Sequence, residues 1–200
     1  DGILWGRYAE YVEYDKVYEG RQKLLGIAYD NWKNRREPEY EEFVRKNSYW
    51  LDDYALYMSC REHFNNKSWL HWDEDIKNKK PEAVIKYSEL LKDKTDYWKF
   101  IQFRFYREWD KLKKYANNEG IKIIGDIPIY VSLDSSDVWS NPELFQLDEK
   151  LEPRAIAGCP PDAFAAEGQR WGNPLYAWDV MEKDDFAWWK KRITASATLY

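Results

Sequence analysis

An abrupt change of period at residue 121 constrains this chain more than any other feature. From Thr95, a plausible N-cap, the residues Trp98, Ile101, Phe105, Trp109, Leu112 and Ala116 fall on one helical stripe. Asn117-Asn118-Glu119-Gly120 ends that stripe, and Gly120 suits the left-handed position that closes a helix. Then Ile121, Ile123, Ile124, Ile127, Ile129 and Val131 form a β-rich apolar run. A long helix, a glycine stop and a strand apolar on both faces make the second half of a β/α unit, as in parallel sheets.

The residues before this point read as helices. Tyr14, Val17, Tyr18, Leu24, Leu25, Ala28, Tyr29 and Trp32 recur at three and four residues, so a helix is expected from about Val12. Pro38 opens a second, with Glu39, Glu41 and Glu42 in its first turn, where the helix dipole favours negative charge. Trp50-Leu51 leads into another, Asp73–Lys80 reads as a solvated connector, and Pro81 opens a further helix. Beyond the strand, Ser135–Trp139 has the composition of a short capped turn of helix. Phe145–Ala157 suggests an irregular hairpin turning at Asp148-Glu149-Lys150, residues 160–174 read as loop, and a last helix starts near Trp178.

Composition removes several function classes. Acidic residues outnumber basic ones, 36 to 31, and no basic stripe is present, so nucleic acid is not an expected partner. No apolar run approaches a membrane span, and the first residues lack the pattern of a signal peptide. Cys60 and Cys159 read as reduced thiols of a cytoplasmic protein. His63 and His71 have no ligand-like company, so no metal site is expected. The unusual count is aromatic: 12 Trp and 16 Tyr. Such rings combine an apolar face with a polar handle and suit sugar rings, although most here fall at helical spacing and fill helix seams.

Three features carry candidate chemistry. Asp126 sits inside the apolar strand, and a buried carboxylate needs partners or shifts its pKa. At the C-terminal end of a barrel strand it would face a catalytic mouth; as a structural residue it would cap a neighbouring loop. Asp134 and Asp137 resemble a carboxylate pair, but Asp beside Ser in DSSDVW favours helix capping. In PDAFAAEGQRWGNP, Phe164 and Trp171 are large rings in a segment too polar and broken for a core, which marks binding. Asp162, Gln169 and Asn173 add polar groups beside them, and Gly168 and Gly172 permit backbone turns. The opposing reading tucks Trp171 inward to pin the loop.

The segments GDIPIYVSLDSSDVWSNPELFQLDE, AGCPPDAF and GQRWGNPLYAWDV strongly resemble the 4-α-glucanotransferases of glycoside hydrolase family 77. WLDDYALYMSCRE and FIQFRFYREWDKLKKYANNEGIKIIGD fit the same family. The resemblance implies a mainly α chain with few strands, part of a (β/α)8 TIM barrel. Residues 1–119 would be a helical insertion subdomain. Residues 120–200 would hold barrel strand three, an insertion over 132–175 that covers the active site, and a following helix. It implies that Asp126 lines the active site and that Phe164, Gln169 and Trp171 grip the glucan, with Asp162 and Asn173 in the same motif. Ala163 and Leu151 depart from the family's usual residues.

The family's nucleophile lies in an RIDHFRG-like motif, which does not occur in these 200 residues. The acid/base glutamate and the later aspartate are missing too, so no catalytic residue is assigned here and the chain reads as an internal piece. The implied parent transfers α-1,4-glucan segments between malto-oligosaccharides by retaining double displacement, and the resemblance implies no metal or organic cofactor. An isolated glucan-binding domain and a piece of a hydrolase or debranching relative are the alternatives. A lone barrel strand is expected to be exposed, irregular, or paired with a second copy of the chain.

Overall fold

The computed structural model describes residues 3, 5–8, 10–35 and 37–200. It is mainly helical, with a single two-stranded sheet among those residues. Helix α1 spans Tyr14–Trp32, and α2 spans Pro38–His63 with the proline in its first turn. A 3-10 turn Trp69–His71 leads to α3, Glu74–Lys77, α4, Pro81–Leu90, and α5, Lys92–Asn118. Two sequence expectations need correcting here. No new helix starts at Trp50-Leu51, because no breaker interrupts α2 and the aromatic side of the segment continues in register. Thr95 does not cap α5, which begins at Lys92 after a bend at Leu91; the Thr95 hydroxyl lies 3.3 Å from Ser59 Oγ. The connector Asp73–Lys80 contains the short α3.

Helices α2 and α5 lie antiparallel: Arg107 pairs with Glu37 at one end and Lys94 with Glu62 at the other. Aromatic rings fill the seam, with Phe43 meeting Phe103 at 5.7 Å and Tyr106 at 5.4 Å. Helix α1 joins through Tyr29, which is buried against Phe100 and donates its hydroxyl to the Asp93 backbone at 3.1 Å. The rest of the expected α1 stripe is not core: Tyr14 and Tyr18 are exposed.

Gly120 closes α5 as expected, with φ +76° and an Ile121 N–H donating to Ala116 O at 2.9 Å. The next segment is irregular, one of the outcomes expected of a lone barrel strand. Residues 121–131 form no strand, because no neighbouring strand supplies ladder acceptors and donors. Its carbonyls are taken instead by side chains: Tyr176 Oη donates to Ile129 O at 2.7 Å and Asn173 Nδ2 to Val131 O at 2.8 Å.

Ser135 Oγ accepts from Val138 N–H at 3.3 Å and caps α6, Ser136–Ser140. Asp148 Oδ1 organises the hairpin turn by accepting from Lys150 and Glu152 N–H. Leu151 in that turn has φ +67°, the left-handed region that favours glycine. Strands β1, Ile156–Cys159, and β2, Gln169–Pro174, pair antiparallel with a bulge between Ile156 and Gly158. The expected loop over 160–174 is therefore strand in its last six residues. Helix α7, Trp178–Glu182, and α8, Ala187–Leu199, replace the single last helix, separated by left-handed Asp185 and Phe186.

One core serves both parts of the chain. Tyr57, Cys60, Trp69 and Trp72 from the helical part share it with Val138, Trp139, Tyr176 and Met181. Trp139 Nε1 donates to Ile76 O at 3.0 Å, and Trp69 Nε1 to Leu133 O at 2.8 Å. Among the described residues, no helix is long and apolar enough to cross a membrane.

Candidate functional site

The loop between β1 and β2 is braced from within. Asp162 Oδ1 accepts from Phe164 N–H at 2.8 Å and Ala165 N–H at 2.7 Å, the bonding an aspartate offers to a tight turn. Gly168, at φ +72°, turns the chain back; a Cβ there would lie 2.6 Å from Cys159 O. Gly158 allows the two strands to approach, since its Cβ would meet Gln169 O at 2.3 Å. These constraints leave Phe164 97% exposed at the tip.

Trp171 projects from β2 and is half exposed. Its Nε1 donates to Gln169 Oε1 at 3.0 Å, and its ring lies 6.2 Å from Tyr130. The ring is thus steadied but not buried, so the alternative in which it pins the loop from inside is set aside. Asn173 does not face this surface with a free amide, because its Nδ2 is engaged with Val131 O. It ties β2 to the segment that carries Asp126.

Asp126 is exposed, contrary to the expectation of a carboxylate inside an apolar strand. Among the described residues its Oδ1 accepts only from its own neighbour, Ile127 N–H, at 2.7 Å. With no sheet around residues 121–131, nothing buries it. Among the described residues no hydrogen bond joins Asp126 to the loop, whose own bonds link Asp162 to the Phe164 backbone and Gln169 to Trp171.

The carboxylates near α6 are neither a catalytic pair nor caps. Asp134 accepts from Tyr57 Oη at 2.8 Å and Trp69 N–H at 3.3 Å, with Arg61 at 3.5 Å. It joins the two parts of the chain, while capping falls to Ser135. Burial, and then the Asp134 carboxylate, push the Tyr57 phenol upward, so it stays a neutral donor. Asp137 is held above the usual carboxylate range by burial, opposed by Arg192.

Sequence reading passed over Tyr130 and Arg192. Tyr130 stacks on Tyr176 at 5.9 Å and meets Trp171. Arg192 donates to Pro128 O at 2.5 Å and sits 5.2 Å from the Trp188 and Trp189 rings. The lone tyrosine in an isoleucine-rich run was the signal available for the first; the second had none for its bond to Pro128 O, 64 residues away. Among the described residues no cluster suited to a metal ion is present.

Comparison with known proteins agrees over the whole chain. A 4-alpha-glucanotransferase from Clostridium butyricum is 47% identical over 197 residues, 98% of this chain and 40% of its own length. One from Aquifex aeolicus is 45% identical over 187 residues, 94% of this chain and 38% of its own. The solved amylomaltase of Streptococcus agalactiae in complex with acarbose superposes with a TM-score of 0.94 at 40% identity, over all of this chain and 41% of that one. The chain therefore spans about 40% of the length of these relatives. The family model for 4-alpha-glucanotransferase matches residues 3–200, and the chain belongs to that family.

Proposed function

We propose that this chain forms one wall of the glucan cleft of a 4-α-glucanotransferase, with the β1–β2 loop covering the bound chain. The observation that carries this is the loop itself: an aromatic tip almost fully in solvent on an internally braced turn, beside a half-exposed Trp171. Exposed rings on a rigid support suit the apolar faces of glucose units, and Gln169, adjacent to Trp171, supplies an amide for their hydroxyls. The related amylomaltase was solved with acarbose, a finding in keeping with saccharide binding at this fold. Asp126, exposed and bonded among the described residues only to its neighbour's N–H, is available to a sugar hydroxyl.

The parent reaction is the transfer of an α-1,4-glucan segment through a retaining double displacement, in the cytoplasm, with malto-oligosaccharides as donor and acceptor. The nucleophile and acid/base, which must stand about 5 Å apart, lie outside these 200 residues, so the chain alone binds but does not transfer. The barrel reading is supported by surface left apolar: Ile124 is 94% and Ile129 69% exposed, and Phe105 and Leu112 of α5 are exposed as well. Such faces mark contact with further protein. On this reading residues 1–119 are the helical insertion and residues 120–200 carry strand three and its cover.

Titrating maltoheptaose while following tryptophan emission tests the loop. A saturable change in the parent sequence that is lost in Trp171→Ala is the expected result. A change untouched by Trp171→Ala would overturn the role given to the loop, and disproportionation of maltotriose by the chain alone would overturn the division of labour.

A further inference from the structure

A cavity of about 430 Å³ opens between α2, α6 and α8, with Tyr106 of α5 in its wall. Neither Asp126 nor any residue of 160–173 lines it. Its size falls in the range of small-molecule sites, roughly 300–1,000 Å³.

Two walls of different chemistry face each other. On the α2 side, Trp50 and Tyr106 lie 6.0 Å apart at 39°, giving a broad aromatic surface with Tyr49 beside it. On the α8 side, Trp188, Lys191 and Arg192 line the space, with Lys191 Nζ 6.0 Å over the Tyr49 ring. Asp137 of α6 also lines it. Among the described residues only its backbone carbonyl accepts hydrogen bonds, from Ser140 and Asn141, and the carboxylate is left for another donor. Burial holds that carboxyl above its usual range, a cost a ligand's hydroxyl would relieve.

The lining selects among ligands. An anion meets Asp137 together with Asp184 and Glu143. A cation meets Lys191 and Arg192. A neutral polyhydroxylated ring suits both: it gives protons to the carboxylate, accepts them from the ammonium, and lays its C–H face on the aromatic wall.

We propose that this cavity is a second saccharide site, separate from the covering loop, that takes one or two neutral glucose units. The choice of glucose rests on the glucan reading above.

Amide shifts of the 200-residue chain on addition of maltose test the site. The expected shifts fall at 136–141 and 187–195, persist in Trp171→Ala, and vanish in Ala195→Trp, which fills the cavity from α8. Asp137→Asn replaces the carboxyl acceptor and is expected to weaken maltose binding at this position about tenfold; it serves where the bulkier replacement disturbs the fold. Shifts confined to 162–173 would overturn the second site and leave the glucan reading standing. Shifts at the cavity alone would support the second site and overturn the loop's role. Maltose that moves neither set, or cavity shifts unchanged in both Ala195→Trp and Asp137→Asn, would overturn the proposal.

Discussion

The helices of residues 14–118 and the segment 121–131 are both rich in apolar side chains, yet they hold their backbones in opposite ways. A helix satisfies its own N–H and C=O groups, so α2 and α5 need only side-chain packing to dock. An extended segment depends on neighbours for the same service, and residues 121–131 have none in a sheet. Their anchors are single side-chain bonds from Tyr176, Asn173 and Arg192. The lesson is that apolar pattern states what a segment is suited to, while the partners present decide what it becomes.

The strongest test of that contrast attacks the joint between the two regions. Trp69 is fully buried and reaches Leu133 O. Trp69→Ala is expected to cost about 3–5 kcal/mol, the usual loss for a buried aromatic. A single shifted transition in urea, seen alike by helix signal and by loop-region fluorescence, is expected from one shared core. Two separated transitions would show that the helical part stands alone.

Next in size is Gly168→Ala. Its φ of +72° and the 2.6 Å approach of a Cβ to Cys159 O set a strained backbone against a fixed one. The cost is expected at about 1–3 kcal/mol for the strain, with loss of glucan-induced fluorescence change. Gly172→Ala is the control: φ is +80° but nothing lies within 4 Å of the added carbon, so its smaller cost reports conformation alone. Equal costs would mean that the loop yields where it touches β1.

Cys60 measures how tight the helical side is. Burial pushes its thiol from 9.0 up to about 12. The folded form thus keeps its proton where the unfolded form loses it. The stability this gives is complete below pH 9 and is lost as pH rises towards 12. Each pH unit in that window is worth up to about 1.4 kcal/mol. Between pH 9 and 10 the parent sequence should lose up to that much more stability than Cys60→Ala does. Parallel pH profiles would show a solvated thiol.

Tyr176→Phe probes the other side. It keeps the stacked ring but deletes the bond to Ile129 O and the contact with Arg192. About 1 kcal/mol is expected, along with faster amide exchange around residues 129–131. Unchanged exchange would show that the segment is held by something other than side-chain bonds.

These tests follow the line between what the sequence made legible and what it did not. Local signals were readable because the chemistry is local: Pro38 at a helix start, Gly120 at an end, Ser135 at a cap, Asp148 in a turn. The continuity of α2 through Trp50 was missed because aromatic residues alone do not distinguish a boundary from a change of face. Strand β2 was missed because Gly172 and Pro174 read as loop, and its pairing with β1 is a contact across residues 160–168. Asp126 was expected to be buried because its neighbours are apolar, but burial depends on what stands across from a strand. The exposure of Phe164 and Trp171 was legible through their context, large apolar groups in a segment otherwise polar and broken.

Phe164→Ala carries the smallest expected effect on stability and the sharpest contrast with Trp69. Both are large rings outside the long helices, one fully buried and one 97% exposed. The turn beneath Phe164 is held by Asp162 accepting backbone N–H groups, which the substitution leaves in place. The urea midpoint should therefore move by no more than about 0.5 kcal/mol, the range of ordinary surface changes. On the proposed reading that ring contacts a bound glucan, so maltoheptaose binding should weaken in the same protein. A loss of more than about 1 kcal/mol would mean that Phe164 packs in solution, and the loop would then be a closed structural turn with no claim on a ligand.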